Sequence, residues 1–124
     1  MKNQSAELGK WGEDLAVKLL VSKGYAIRET NWKLPPLEID VVAMKGTRIV
    51  FVEVKTRSNG EYDPVTAINR KKQANMIKAA NTYLLSNELP NDVQFDVVLI
   101  VGTPDTGFSI DHIEDAFYPP LKKY

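Results

Sequence analysis

The sequence predicts an α/β domain, with one mixed β-sheet flanked by helices in the order helix, three strands, helix, strand. Three observations lead there. Apolar residues recur at three- and four-residue steps in two segments, one near the N-terminus and one in the second half. Between them lie three strand-like stretches whose connections are too short for parallel crossovers. After the second helical segment comes "VQFDVVLIVG", a continuous apolar run suited to a buried central strand.

Residues 5–23 place Leu8, Trp11, Leu15, Ala16, Leu19 and Leu20 on one helical stripe, and Gly24 supplies a C-terminal stop. "YAIRETNWK" reads as the first strand, and "LPPL" interrupts the pattern before "EIDVVAM", the second. "KGTR" leads into "IVFVEVKTR", residues 49–57, the third strand. The second helix is expected over residues 66–87, with Gln73, Met76, Ile77, Ala80, Tyr83 and Leu84 along or beside one stripe, and "LPND" ends it. "FSIDHIEDAF" is a strand or a turn near the C-terminus. The first three strands then form an antiparallel meander, while the second helix is a crossover that brings the apolar run in parallel.

At 124 residues the chain has the size of one domain, expected to span 1–124 and to bury a core without covalent staples. The absence of cysteine excludes a disulfide framework and a thiolate metal site. The longest apolar run, "VVLIV", is too short to cross a bilayer, so a soluble, cytoplasmic protein without a membrane partner is expected. Sixteen basic residues balance sixteen acidic ones, and no global charge advertises a polyanionic partner. Local asymmetry survives in "NRKKQ" at 69–73, three consecutive cations where the second helix begins.

The third strand carries a charge problem. Val50, Val52 and Val54 form one apolar row, while Ile49, Phe51, Glu53, Lys55 and Arg57 form the other, which begins apolar and ends charged. A two-residue loop at Gly46 and Thr47, with glycine first as a type II′ turn requires, fixes a register. Met44 then faces Ile49, Val42 faces Phe51, Asp40 faces Glu53, and Glu38 faces Lys55. Opposed like charges at this spacing are destabilising. A divalent cation between Asp40 and Glu53 resolves the conflict, since Mg²⁺ is held by one or two carboxylates plus water and phosphate. Lys55, one step along the same face, would reach a phosphate oxygen or a water. The competing reading is a solvated rim of ion pairs, with Glu38 as a plain partner for Lys55.

These residues resemble the PD-(D/E)XK nuclease superfamily, whose core is helix, three-strand meander, helix, strand (αβββαβ, the restriction-endonuclease-like fold). Its site is an Asp followed by Glu-x-Lys on the adjoining strand. More closely, the chain resembles the YraN-like family of bacterial proteins, which are similar to archaeal Holliday-junction resolvases. "GKWGEDLA", "NW", "LEIDVVA", "VFVEVKTR", "KKQANMIKAANTYL" and "FDVV" carry the resemblance over nearly the whole chain. The superfamily's eponymous proline is replaced by Ile39.

The resemblance implies that Asp40 and Glu53 bind Mg²⁺ or Mn²⁺ and that Lys55 positions water and stabilises transition-state charge. It implies that Glu13, which shares a helical face with Ala16, Val17 and Leu20 and follows Gly9 and Gly12, completes the catalytic and metal-binding set. Lys72 and Gln73, with Arg57, Arg70 and Lys71, are the expected DNA-backbone contacts, because cations at a helix N-terminus oppose the macrodipole unless phosphate is nearby. His112 reads as structural, and Trp11 and Trp32 read as core-filling rather than base-stacking. The leading expectation is a metal-dependent DNA endonuclease acting on branched DNA, for which a homodimer is suited. The alternative is a catalytically silent nucleic-acid-binding or scaffold protein on the same fold.

Overall fold

A computed structural model of the chain describes residues 4–59, 68–89 and 92–119. Its elements are α1 (Gln4–Ser22), β1 (Ala26–Leu34), β2 (Leu37–Lys45), β3 (Arg48–Arg57), α2 (Arg70–Ser86), β4 (Val93–Thr103) and β5 (Gly107–Ile113). The sheet order is β1-β2-β3-β4-β5. β3 and β4 run parallel and every other neighbouring pair is antiparallel, so the meander and the helical crossover both form as expected. "FSIDHI" is a true edge strand, and no described helix is long and apolar enough to cross a membrane.

Pleating sends alternate residues of β3 into two separate cores. Ile49 and Phe51 join Val42, Phe95, Val97 and Leu99 beneath Met76, Ala79, Ala80, Tyr83 and Leu84 of α2. Tyr83 sits edge-on to both Trp32 and Phe51, with ring centroids 5.5 and 5.8 Å away. Val50, Val52 and Val54 join Val41, Ala43, Val98 and Ile100 beneath Ala16 and Leu20 of α1.

The helix ends follow from local chemistry. Gly24, at φ 91°, closes α1 in a Schellman arrangement: its N–H donates to Val21 O at 3.0 Å, and Tyr25 N–H donates to Leu20 O at 3.0 Å. The second helix starts later than expected, at Arg70, because the Asn69 side chain accepts the Lys72 N–H at 2.8 Å and caps it. Residues 66–67, expected to open that helix, lie outside the described residues.

The two glycines of α1 are not equivalent. A Cβ at Gly9 would meet open space, whereas one at Gly12 would overlap Thr56 Oγ1 on β3. Gly12 therefore sets how closely α1 approaches the sheet. Gly12→Ala should destabilise the fold by about 1–3 kcal/mol, and adding Thr56→Ala should recover most of that loss in paired thermal melts.

Candidate active site

The turn at Gly46 and Thr47 produces the expected register, with Lys45 paired to Arg48, Met44 to Ile49 and Val42 to Phe51. Gly46 has φ 61° while Thr47 is not among the positive-φ residues, which fits the type II′ turn. The β2–β3 ladder then ends at Val41 and Val52, one step short of the expected Asp40–Glu53 pair and three short of Glu38–Lys55. The cause is local: Asp40 Oδ2 accepts the Val54 N–H at 2.8 Å, so a side chain replaces a ladder bond and the strands part. Glu38 is paired instead to Lys33 on β1.

The carboxyls of Asp40 and Glu53 lie beside each other in this opening, close enough for the charge of one to act on the other. Glu53 is only 6% exposed. Burial first, and the Asp40 charge second, push the Glu53 carboxyl up to about 7 against the partial opposition of Lys72 and Lys55. Lys72 Nζ, from α2, lies 3.3 Å from Glu53 Oε2, and Lys55 Nζ lies 3.8 Å from Oε1. Near neutral pH Glu53 is thus only partly ionised, with Lys72 and Lys55 both beside it.

Glu13 reaches the same opening from the α1 layer. Burial raises its pKa, an Asn31 hydrogen bond lowers it, and the Asp40 charge raises it again. Asn31 is the group that sequence reasoning missed. It stands between the Thr30–Val41 and Trp32–Ile39 pairs, beside Asp40, and adopts a left-handed backbone at φ 53°. Such strain costs on the order of 1–3 kcal/mol and gathers at functional sites. Two sequence signals were present: Asn31 lies in the "NW" stretch of the family resemblance, and Asn tolerates that conformation better than its neighbours.

Two adjoining clefts open here. One, of about 490 Å³, is lined by Glu13, Asp40, Thr30 and Asn31. The other, of about 380 Å³, is lined by Glu13, Lys55, Thr56 and Arg57, and the two share Gly9 and Glu13. Glu53 lines neither. Among the described residues, no three carboxylate or imidazole groups are gathered closely enough to hold an ion between them.

Of the expected DNA-backbone contacts, Lys72 and Arg57 belong to this region. Arg57 is exposed at the end of β3, and its Nη1 donates to Thr56 O at 3.0 Å. Gln73 turns away, donating from Nε2 to Ile68 O at 3.1 Å at the start of α2. Arg70 and Gln73 line a separate cleft with Tyr118, and Lys71 is exposed.

A second polar cluster lies on the α1 face of β4. Asp96, fully buried, accepts from Tyr25 Oη at 2.9 Å, His112 Nε2 at 2.7 Å, Gln94 Nε2 at 2.8 Å and Asp115 N at 3.0 Å. Glu114 extends the network to Lys45 and Lys23. His112 is structural, as expected, and locks β5 onto β4.

The model of the family described as "Uncharacterised protein family UPF0102" matches residues 12–100. A UPF0102 protein of Flavobacterium psychrophilum is 43% identical over 113 residues, covering 90% of this chain and 94% of the relative. One from Bacteroides thetaiotaomicron is 43% identical over 116 residues, covering 93% and 95%. One from Clostridium beijerinckii is 41% identical over 120 residues, covering 94% and 98%. The chain belongs to the UPF0102, or YraN-like, family.

Proposed function

We propose that the chain is a divalent-cation-dependent DNA endonuclease in which Asp40 and Glu53 are the carboxylate ligands. The observation that carries this reading is the placement of the Asp40 carboxyl beside that of buried Glu53, where β2 and β3 part. Two like charges so close destabilise a fold unless a proton or a cation sits between them. The donor set fits: it consists of hard oxygens, which suit Mg²⁺ or Mn²⁺ with water and substrate phosphate completing the shell. When bound, the cation supplies Lewis acidity toward a phosphate oxygen and makes water more acidic.

The chain's own groups do the rest. Lys55 and Lys72 turn from Glu53 to the phosphate oxygens and stabilise the added negative charge. Glu13, raised by burial, takes the proton lost by the attacking water. A water oxygen–phosphorus bond forms, the phosphorus–oxygen bond to the leaving sugar breaks, and a lysine ammonium or solvent protonates the leaving oxygen. Branched DNA is the substrate class suggested by the family resemblance, and its near-twofold symmetry suits a homodimer.

The alternative, a silent DNA-binding or scaffold protein, is favoured by the equal counts of acidic and basic residues, since phosphate contact normally draws on clustered cations. Cleavage of a labelled four-way junction separates the two. Wild type should cut with Mg²⁺ or Mn²⁺, and Asp40→Ala and Lys55→Ala should each slow cutting by at least about a hundredfold. Junction binding without cleavage in either ion would select the alternative. Undiminished cleavage by Asp40→Ala would remove this site from the chemistry.

A further inference from the structure

A third cavity, of about 500 Å³, adjoins the cleft of Lys55 and Arg57 and shares Leu8 and Ser58 with it. We propose that this cavity binds an unpaired nucleobase of the DNA strand that enters the site, with the Trp11 indole as its stacking surface. Trp11 lines the cavity together with Glu7, Thr103, Pro104, Asp105 and Thr106. The proposal rests on the nuclease reading for the identity of the polymer, and it narrows the substrate to DNA with unpaired nucleotides beside the cut.

The aromatic wall is held in place. Trp11 is half-buried and meets Phe108 edge to face, with centroids 5.1 Å apart. Phe108 stands opposite Gly102 in the β4–β5 ladder. A Cβ at Gly102, whose φ is 124°, would come within 2.6 Å of Phe108 Cα. The missing side chain is what lets β5 carry the Phe108 ring against Trp11. The indole packs against the α1-side core, as expected, and also lines a cavity on the rim of the proposed site.

Charge selects the occupant. No lysine or arginine lines this cavity among the described residues, and two carboxylates do. A phosphate is repelled there, whereas a nucleobase is neutral, flat and carries N–H donors on its edge. Aromatic stacking accepts any base, and the Asp105 carboxylate and Ser58 hydroxyl offer acceptors to a base edge. Thr103 and Thr106 order the adjoining turn through a hydroxyl–hydroxyl bond of 2.6 Å. The cations Lys55 and Arg57 lie in the neighbouring cleft. A strand with its phosphates over those cations delivers its next base to Trp11, which a continuous duplex cannot do without unpairing.

The test uses fluorescence and needs no cleavage. The chain has two tryptophans, so Trp32→Phe leaves Trp11 as the only indole. In EDTA, a single-stranded DNA 12-mer should quench Trp11 emission strongly, and the same sequence as a perfect duplex should not. Trp11→Ala should weaken single-strand affinity about tenfold or more and leave duplex affinity unchanged. Failure to bind single-stranded DNA, saturation without quenching, or equal quenching by duplex would overturn the inference. Quenching that persists while Asp40→Ala still cleaves would uphold the base pocket and refute the reading of the metal site. Loss of cleavage in Asp40→Ala without quenching would do the reverse.

Discussion

Replacing Glu53 by glutamine is expected to remove divalent-cation-dependent cleavage and, at the same time, to stabilise the metal-free protein in mild alkali. The folded Glu53 carboxyl keeps its proton up to about 7, whereas an unfolded one releases it near 4.5. Between those values the folded state binds more protons, so the stability linked to Glu53 is complete below the lower value and is lost as pH rises through the upper one. The loss amounts to at most about 3 kcal/mol. Glutamine carries no charge to bury. In EDTA the variant should melt about 5–10 °C above wild type near pH 8 and match it near pH 5. Identical pH profiles would mean that Glu53 is not the strained group described here. The stored repulsion is the reason a cation should bind, so the catalytic loss and the stability gain share one cause.

The second large effect concerns stability alone. Asp96→Asn should lower stability by about 3 kcal/mol, because an amide cannot accept from Tyr25, His112, Gln94 and the Asp115 N–H as a carboxylate does. Burial alone would raise the Asp96 pKa, but hydrogen bonds, led by that of His112, outweigh it and hold the carboxyl below its ordinary value of 3.8. A group shifted in this direction contributes stability that is present above its unfolded value and lost as pH falls through the folded one. Thermal melts should therefore show the gap between wild type and variant closing in strong acid. A constant gap across that range would place the cost in packing rather than in the charge.

The register of the β2–β3 hairpin was readable because one glycine set it, and alternation then assigned each side chain to a face. The parting of the strands was not readable, since it depends on Asp40 taking a backbone N–H fourteen residues away. Lys72 was singled out for its position on α2, but its approach to Glu53 depends on how the crossover docks, which no local spacing encodes. Gln73, one residue on, went to the helix start instead. Asp96 lay unnoticed within an apolar run, and its partner His112 lay in a segment read as strand or turn. Only the antiparallel β4–β5 pairing, Val98 opposite His112, brings the two together. Gly12 was legible as small, though its role emerged only with Thr56 beside it.

The measurement that tests the central claim most directly is isothermal titration of Mn²⁺ into wild type and Asp40→Ala in buffers of different ionisation enthalpy. Glu53, raised to about 7, holds a proton that a cation must displace, so wild type should bind and release close to one proton near pH 6 and fewer near pH 8. Asp40→Ala should show no binding at the same concentrations. Binding of equal strength in both proteins, or none in wild type, would contradict the account.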